Sequence, residues 1–389
     1  MISTKDFRTK TILREQKNPT VDGYWPIGLD IGYSSVKVYS PNTVSCVPSY
    51  AKRVKGSVLS SKADADEILY RDDQTGELWK VGSTAQNMIS ASDSSDSDEE
   101  LFGRNRYFSP VFRVISRVGI ALGKLNNNFG SPKNQKVIIQ TGLPPKYRKS
   151  DSSLLKEALS GTHRYSVKIG NRSWQDFSFE LKESDIRVTD QPMGTLYSIS
   201  TNNNGDQVKD AYKYFKSNTL IVDPGFGTCD FISVSGGVLG KPETFQEYGM
   251  KRVLEETSKV IFDRYHQEIS VAAMQKYLER GSITCFDRKT MSSTEKAFND
   301  ILEKCSVKVF NEVMENLKTI YNYLSEQEYL VITGGTGAAW EKLFREYLSG
   351  LSSLHIINGM INDPSLPLIF SNVRGYYNYL YSYLKTKKH

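Results

Sequence analysis

Asp30 and Asp223 each close an apolar run and open a glycine turn, in WPIGLDIGYSSVKVY (Trp25 to Tyr39) and in TLIVDPGFGTCDFIS (Thr219 to Ser233). Both stretches follow one plan: apolar strand, Asp-X-Gly turn, small or hydroxylated residues, second apolar strand. Gly32, Gly225 and Gly227 are expected to take backbone conformations that other residues avoid, so that loop N–H groups approach an anion without interference from Cβ atoms. A carboxylate in such a loop repels a phosphate unless a cation or its water shell lies between them. An Asp in each loop therefore predicts Mg2+ held through water against a nucleotide tail. Taken singly, either segment is ordinary Asp-Gly hairpin chemistry. Taken together, they imply two domains closing on one ligand.

A third strand-to-glycine junction, YLVITGGTGAAW (Tyr329 to Trp340), runs an apolar strand into Gly334, Gly335, Thr336 and Gly337 and then into a helix, a natural place for a nucleoside. No G-x-x-x-x-G-K-[ST] sequence occurs, and the Gly334 cluster lacks the G-x-G-x-x-G spacing with its acidic partner. P-loop and Rossmann readings both lose ground.

The elements that must carry these loops follow from pattern. A helix is expected from Pro110 to Leu125, where Val111, Val114, Ile115, Val118, Leu122 and Leu125 recur at helical spacing. Lys136 to Gln140 reads as a buried strand, broken by Gly142, Pro144 and Pro145, and Val188 to Ile199 as a strand end turning into a helix at Gln191. Short strands are expected from Asp64 to Val81, and helices from Gly249 to Tyr323. Met1 to Asp22 reads as a polar extension without apolar period, either flexible or a peripheral contact. Ser92 to Glu100 packs five acids among serines and reads as a disordered surface loop. The tyrosine-rich segment Val373 to Leu384 is expected to be a core-packing helix, because its tyrosines do not segregate onto one face; contact with a membrane or partner is the alternative.

A chain of 389 residues with 39% hydrophobic content is long enough for two to three domains with real cores. The net charge of +6 is modest and scattered apart from KYRK at Lys146 and KTKKH at the end, so direct nucleic-acid binding is not demanded. Cys46, Cys229, Cys285 and Cys305 form no C-x-x-C pair and have no histidine at metal-ligand spacing, which argues against a disulfide framework or zinc site. A cytoplasmic location is expected, since no apolar run reaches the length of a membrane span and the first twenty residues lack an apolar signal core.

The ordered set DIGYSSVK, GLPP, QPMGTLY, DPGFGTCD and ITGGTG resembles the actin, Hsp70 and sugar-kinase ATPase superfamily. Within it the chain is most similar to bacterial actin-like proteins of the ParM type, through VPSY at Val47, TGLPPKYR from Thr141, the segment from His163 to Gly170, and SNVRGYYNY. The resemblance spans Tyr24 to Leu384. It implies an α/β, two-domain actin-type fold, each domain a mixed sheet with flanking helices, and nucleotide in the interdomain cleft. The corresponding boundaries are an extension over 1–22, a first domain over 23–188 with an inserted subdomain at about 41–110, a second domain over 189–370, and a C-terminal helix over 371–389 returning to the first.

The resemblance also implies roles for individual residues. Gly32, Tyr33, Ser34 and Ser35 would offer donors to the β-phosphate and its neighbours, and Gly225, Phe226, Gly227 and Thr228 would cradle the terminal phosphate. Asp30 and Asp223 would hold Mg2+ waters. Gln191 stands where actins have a glutamine and would orient the attacking water, which suits slow hydrolysis because an amide is no strong base; the alternative is a polar residue that merely starts a helix. Lys37 matches a lysine of the ParM-type pattern, although strand alternation could equally send it to solvent. Asp230 would close the second loop or serve structure alone, and Cys229 reads as a packing residue.

In function, the resemblance implies an ATPase that polymerises head to tail with Mg2+ and ATP, GTP being possible, and moves plasmid DNA through a DNA-binding adaptor protein, without membrane attachment. The short basic runs are then solvated faces, filament contacts or a face for an acidic adaptor. Two rivals remain: a sugar-type kinase with Asp190 as its base, and a membrane-linked scaffold for cell shape or division.

Overall fold

The computed structural model describes residues 2–54, 63–89, 103–287 and 289–387, so the acidic tract at 92–100 lies outside the described residues. Of these, residues within 9–88, 103–212 and 359–387 form one compact unit, and 2–8, 89 and 213–358 form another.

The first unit holds strands β1 (Ile12–Glu15), β2 (Tyr24–Ile31), β3 (Ser35–Ser40), β4 (Thr43–Pro48), β5 (Ala51–Arg53), β6 (Ile68–Asp72), β7 (Leu78–Val81), β8 (Lys136–Leu143), β9 (Gly161–Ile169), β10 (Gln175–Leu181) and β11 (Ile186–Asp190). They build two sheets, ordered β1-β4-β3-β2-β8-β11 and β10-β9-β6-β7-β5. In the first, β2, β8 and β11 run parallel, while β2, β3 and β4 form an antiparallel meander. β2 is buried along almost its whole length, as a strand covered on both faces must be.

Side chains on successive strand residues point to opposite faces, and small residues on β2 and its partners let helices come close on each. Helix α1 (Pro110–Gly123) lies on one face: a Cβ at its Gly119 would meet Val36 Cγ1 at 2.6 Å and Leu29 Cδ1 at 3.0 Å, and one at Gly123 would meet Ile27 at 3.0 Å. Gly28, between Ile27 and Leu29, faces the other way, and a Cβ there would meet Val373 O of the C-terminal helix (Ser371–Thr386) at 2.5 Å. Helix α2 (Pro145–Leu159) follows β8, and α3 (Gln191–Ser200) follows β11. The tyrosine-rich C-terminal segment is indeed a core-packing helix: Tyr376 and Tyr377 are wholly buried, Tyr377 packs 5.0 Å from Tyr39, and Tyr379 stacks 4.5 Å from Tyr197.

The second unit repeats the plan with less chain. Strands β12 (Thr219–Pro224), β13 (Thr228–Ser235), β14 (Val238–Leu239), β15 (Glu243–Gln246), β18 (Tyr329–Ile332) and β19 (His355–Asn358) give the order β14-β13-β12-β18-β19, with β15 also on β13. Again an antiparallel hairpin, β12-β13, leads into parallel strands, β18 and β19. Helices α4 (Met250–Tyr265), α5 (Asn299–Ile320) and α6 (Gly335–Tyr347) complete it. The stretch expected to be helical between 249 and 323 also contains an antiparallel ribbon, β16 (Ser282–Asp287) with β17 (Ser292–Ala297). Strand β17 is exposed at every position, so it carries no alternation that a sequence reading could detect.

Of the two readings of the N-terminal segment, residues 2–22 fit the contact and not the flexible extension. Ile2 and Phe7 are buried, the Ile2 amide donates to Glu303 Oε1 at 3.0 Å, the Thr4 amide donates to Asn299 Oδ1 at 2.9 Å, and Arg8 pairs with Glu279 at 2.5 Å, all within the second unit. Strand β1 then pairs antiparallel with β4 in the first. Two apolar side chains five residues apart anchor a short turn without making a period. An edge strand with only Ile12 partly covered shows none either.

The closest approach in the first unit joins α3 to the C-terminal helix at Gly194 and Gly375, where a Cβ on Gly375 would overlap Gly194 O. We expect Gly375→Ala to lower unfolding free energy by about 2 kcal/mol or more in urea titration. Gly350→Ala, with open space around the new methyl, should stay within about 0.5 kcal/mol of the parent. Equal stability of the two variants would contradict this packing.

Candidate functional site

Each unit presents a hairpin loop at the C-terminal ends of its parallel strands, the edge at which open α/β sheets bind ligands. In the first unit the β2-β3 turn is closed by Gly32 N–H donating to Ser35 O at 3.0 Å. Three carbonyls of this segment accept from protein donors: Ile31 O from Arg106 Nη2 at 2.5 Å, Gly32 O from Ser49 Oγ at 2.8 Å, and Ser34 O from Ser49 N–H at 3.0 Å. A carbonyl and the following N–H point in opposite directions across a planar trans peptide. Holding the carbonyls from one side therefore turns the N–H groups of Tyr33 and Ser35 to the other.

Asp30 is 3% exposed and pairs with Lys37, its cross-strand neighbour, at 2.9 Å. Of the two readings for Lys37, the solvent one fails: its side chain is 13% exposed, and its Nζ lies 3.6 Å from where a Cβ on Gly32 would be.

In the second unit Gly225 N–H donates to Thr228 O at 2.8 Å, closing the β12-β13 turn. Here too the carbonyls are held. Gly225 O accepts from Met250 N–H at 3.1 Å and from Thr336 Oγ1 at 2.6 Å, Phe226 O from Lys251 N–H at 2.8 Å, and Gly227 O from Glu247 N–H at 3.1 Å. The first-turn amides of α4, orphans in any helix, thus find their acceptors in the loop. Asp223 and Asp230 face each other across the hairpin at 2% and 1% exposure, and Asp230 accepts from Thr228 Oγ1 at 2.9 Å and Thr244 Oγ1 at 2.6 Å. Burial beside these two carboxylates pushes the Cys229 thiol well above its usual range, which suits a packing residue and not a nucleophile.

The Gly334 cluster joins this second loop. Gly334 has φ +79°, its Cβ would collide with Asp223 Oδ1 and Pro224 O, and α6 starts at Gly335. Gly337 packs on Pro224, where a Cβ would stand 3.2 Å from Cδ. The glycine requirement therefore differs from the expectation. Gly32, Gly225 and Gly227 do not adopt left-handed backbone; at Gly32 and Gly225 a Cβ would be crowded, at 3.0 Å from Ser35 O and 3.3 Å from Thr228 O, whereas Gly334 needs the left-handed conformation itself.

Gln191 is the first residue of α3, directly after β11, whose Asp190 lies opposite Leu143 at the same sheet end as the β2-β3 loop. The start of α3 is held by the C-terminal helix: Asn372 Oδ1 accepts from Thr195 N–H at 3.1 Å and Thr195 Oγ1 at 2.7 Å, and the Tyr376 hydroxyl donates to Gln191 O at 3.4 Å. The other end is held by Arg374, wholly buried, which donates to Ser198 O at 2.6 Å and Thr201 O at 3.0 Å. Asp190 is paired with Arg148 at 2.6 Å.

Residues 28–194 match the family model of the actin-like proteins' N-terminal domain. Over the whole chain the similarity is to solved structures. A 15-stranded ParM filament from Clostridium botulinum is 18% identical, with 94% of this chain and 99% of that chain covered and a TM-score of 0.70. An apo ParM protein of psk41 is 18% identical over 94% and 99%, with a TM-score of 0.59. An archaeal actin homologue in complex with ADP is 14% identical over 92% and 99%, with a TM-score of 0.60. The chain has the actin-like fold. No curated protein sequence matches it.

The resemblance to actin-like proteins, stated from the motifs, is supported by the family match over 28–194 and by the fold. Within the actin-like frame, the first unit gathers Asp30, Gly32 to Ser35, Lys37 and Gln191 at one sheet end, and the second gathers Asp223, Gly225 to Thr228 and Gly334 to Gly337. Sequence reasoning missed the residues that brace the loops. Ser49 entered only as part of VPSY, Arg106 lies in the unremarked RNRYF stretch, Thr336 was read for a nucleoside and not for its bond to Gly225, and Asn372 entered only as part of SNVRGYYNY. Among the described residues no group of three or more His, Cys, Asp or Glu could hold a metal ion. The oxygen donors at the loops, one buried Asp beside each, fit a hard divalent cation bound through its waters. No described helix is long and apolar enough to cross a membrane.

Gly334→Ala should cost more than about 1 kcal/mol of stability in denaturant titration, since it adds left-handed strain to a clash with Asp223 and Pro224. A cost below about 0.5 kcal/mol would mean that the strand-to-helix junction tolerates a side chain and is not held tightly against the second loop.

Proposed function

We propose that this chain is a nucleotide-driven, filament-forming ATPase whose two loops bind the phosphates of one Mg-nucleotide. The observation that carries this reading is the duplicated hairpin loop, one per unit, with its carbonyls held by protein donors and a buried aspartate beside it. Loops of outward amides bind phosphate, and a carboxylate beside each suits a cation between them. The ADP in the similar archaeal structure supports a nucleotide as ligand, and the filament from Clostridium botulinum supports self-assembly.

In this reading Gly32 to Ser35 contact the inner phosphates and Gly225 to Thr228 the terminal one, with Lys37 adding charge beside Asp30. Gly334 to Gly337 lie next to the nucleoside. Mg2+, held through water by Asp30 and Asp223, would neutralise phosphate charge. Gln191 acts by position: an amide both donates to and accepts from water, so it orients the nucleophile without removing its proton. Hydrolysis is consequently slow, as suits a timer. Heterologous subunit contacts propagate instead of closing, so a change of nucleotide state at each subunit is a change in filament stability. ATP is the proposed fuel with GTP as the alternative, and transport of plasmid DNA through an adaptor protein in the cytoplasm is the proposed use. The buried tyrosines of the C-terminal helix weigh against a membrane-linked scaffold.

Right-angle light scattering on adding Mg-ATP or Mg-GTP, with phosphate release followed in the same sample, tests the reading. Scattering should rise with nucleotide and decay as phosphate appears; phosphate release without scattering at high protein concentration would refute filament formation. Gln191→Ala should bind nucleotide and assemble yet hydrolyse at least about tenfold more slowly, a barrier increase of about 1.4 kcal/mol. An unchanged hydrolysis rate would remove Gln191 from the mechanism. Asp223→Ala should weaken Mg-nucleotide binding itself, and normal affinity would count against the loop assignment.

A further inference from the structure

The two loops are braced by different chemistry. In the second, all the donors to loop carbonyls are neutral: three backbone amides and the Thr336 hydroxyl. In the first, the Ile31 carbonyl is held by a cation, the guanidinium of Arg106. A carbonyl needs only a neutral N–H, which Ser49 supplies to Ser34 O in the same loop. A full charge at this point calls for another cause.

Arg106 is 9% exposed, and its Nη1 is buried without a hydrogen-bond partner. Among the described residues no carboxylate lies within ion-pair distance of it. Its guanidinium sits 4.0 Å from the ring centroid of Tyr33, a residue of the loop itself, and 5.3 Å from that of Phe112. An arginine cannot shed its proton to escape burial, and a buried charge without a counterion is strongly unfavourable. An aromatic face offsets only part of that cost. Chain folding alone would favour an apolar or neutral residue here.

We propose that Arg106 is a phosphate-binding residue of the first loop. Its Nη2 stays on Ile31 O and fixes the loop, while its Nη1 donates to a non-bridging oxygen of the polyphosphate once the Tyr33 ring moves off the guanidinium. The exchange is favourable because a charge-assisted bond from guanidinium to phosphate is stronger than contact with a ring face. The loop amides, Lys37 and Arg106 then surround the same anion, and the arginine's missing counterion is the ligand. This inference rests on the nucleotide reading above, and it adds a residue that neither the motifs nor the spacing singled out.

The test is calorimetric titration of Mg-ATP, Mg-ADP and adenosine, or the guanine counterparts if those are what the parent binds, into the parent protein, Arg106→Met and Arg106→Gln. The glutamine keeps a donor for Ile31 O, so it folds if the methionine variant does not. Both variants should raise the Kd for the triphosphate at least about tenfold, raise that for the diphosphate less, and leave the nucleoside unchanged. Triphosphate binding equal to the parent's would overturn the proposal, as would an equal loss for all three ligands, which is the mark of a loop that has merely lost its brace. If the parent itself binds no nucleotide, the functional reading falls and this inference with it; if the parent binds and Arg106→Gln binds as well, only this inference falls.

Discussion

The chemistry proposed for this chain depends on one constraint: in each of two tight loops, three carbonyl groups are engaged by protein donors. A glycine turn is flexible, and left alone it would present carbonyls and amides to a ligand indifferently. Holding the carbonyl of one residue commits the next N–H to the opposite direction, because the peptide is planar. Ser49 and Arg106 impose this on the β2-β3 loop, and the start of α4 with Thr336 imposes it on the β12-β13 loop. The two units reach the same result with unrelated donors. The common requirement is thus the direction of the amides and not any particular side chain.

Packing keeps those donors in place. In the first unit the C-terminal helix approaches β2 at Gly28 and α3 at Gly194 backbone almost to backbone, and lays the Tyr376 side chain on β8 at Gly142, so a side chain at any of these glycines would meet it. From the same helix Asn372 takes the Thr195 amide and hydroxyl, Tyr376 reaches Gln191 O, and Arg374 caps the far end of α3. The residue proposed to orient water therefore starts a helix that is fixed at both ends by a segment some 180 residues later in the chain. In the second unit Gly334 and Gly337 do the corresponding work, letting the α6 start lie against Asp223 and Pro224.

Much of this was legible in the sequence, for identifiable reasons. The two hairpins declare themselves because an Asp-X-Gly turn between buried apolar runs has few other readings, and β2-β3 and β12-β13 form where the motifs placed them. The start of α3 at Gln191 was marked by Pro192, which is tolerated only in a first helical turn. The helix expected to Leu125 stops at Gly123, close to the end that its period gave. The bracing residues were not legible, because a donor to a carbonyl can come from anywhere in the fold: Thr336 lies more than one hundred residues from Gly225. Edge strand β1 and the ribbon β16-β17 were missed because neither shows an alternating apolar face: β1 has only Ile12 partly covered, β16 buries only Ile283, and β17 buries nothing. The reason for the loop glycines was misread, since crowding against Ser35 O and Thr228 O leaves the same residue preference as a left-handed backbone.

The claim that two braced loops serve one nucleotide is tested most directly by titrating Mg-nucleoside triphosphate into the parent protein, Ser49→Ala and Thr336→Val, with stoichiometry read together with affinity. Each substitution releases one carbonyl brace, in a different unit, and because Thr336 also belongs to the run proposed beside the nucleoside, the free nucleoside is titrated alongside as a control. The account predicts one nucleotide per chain and weaker binding in both variants. Two nucleotides per chain, or a loss confined to one of the variants, would contradict it.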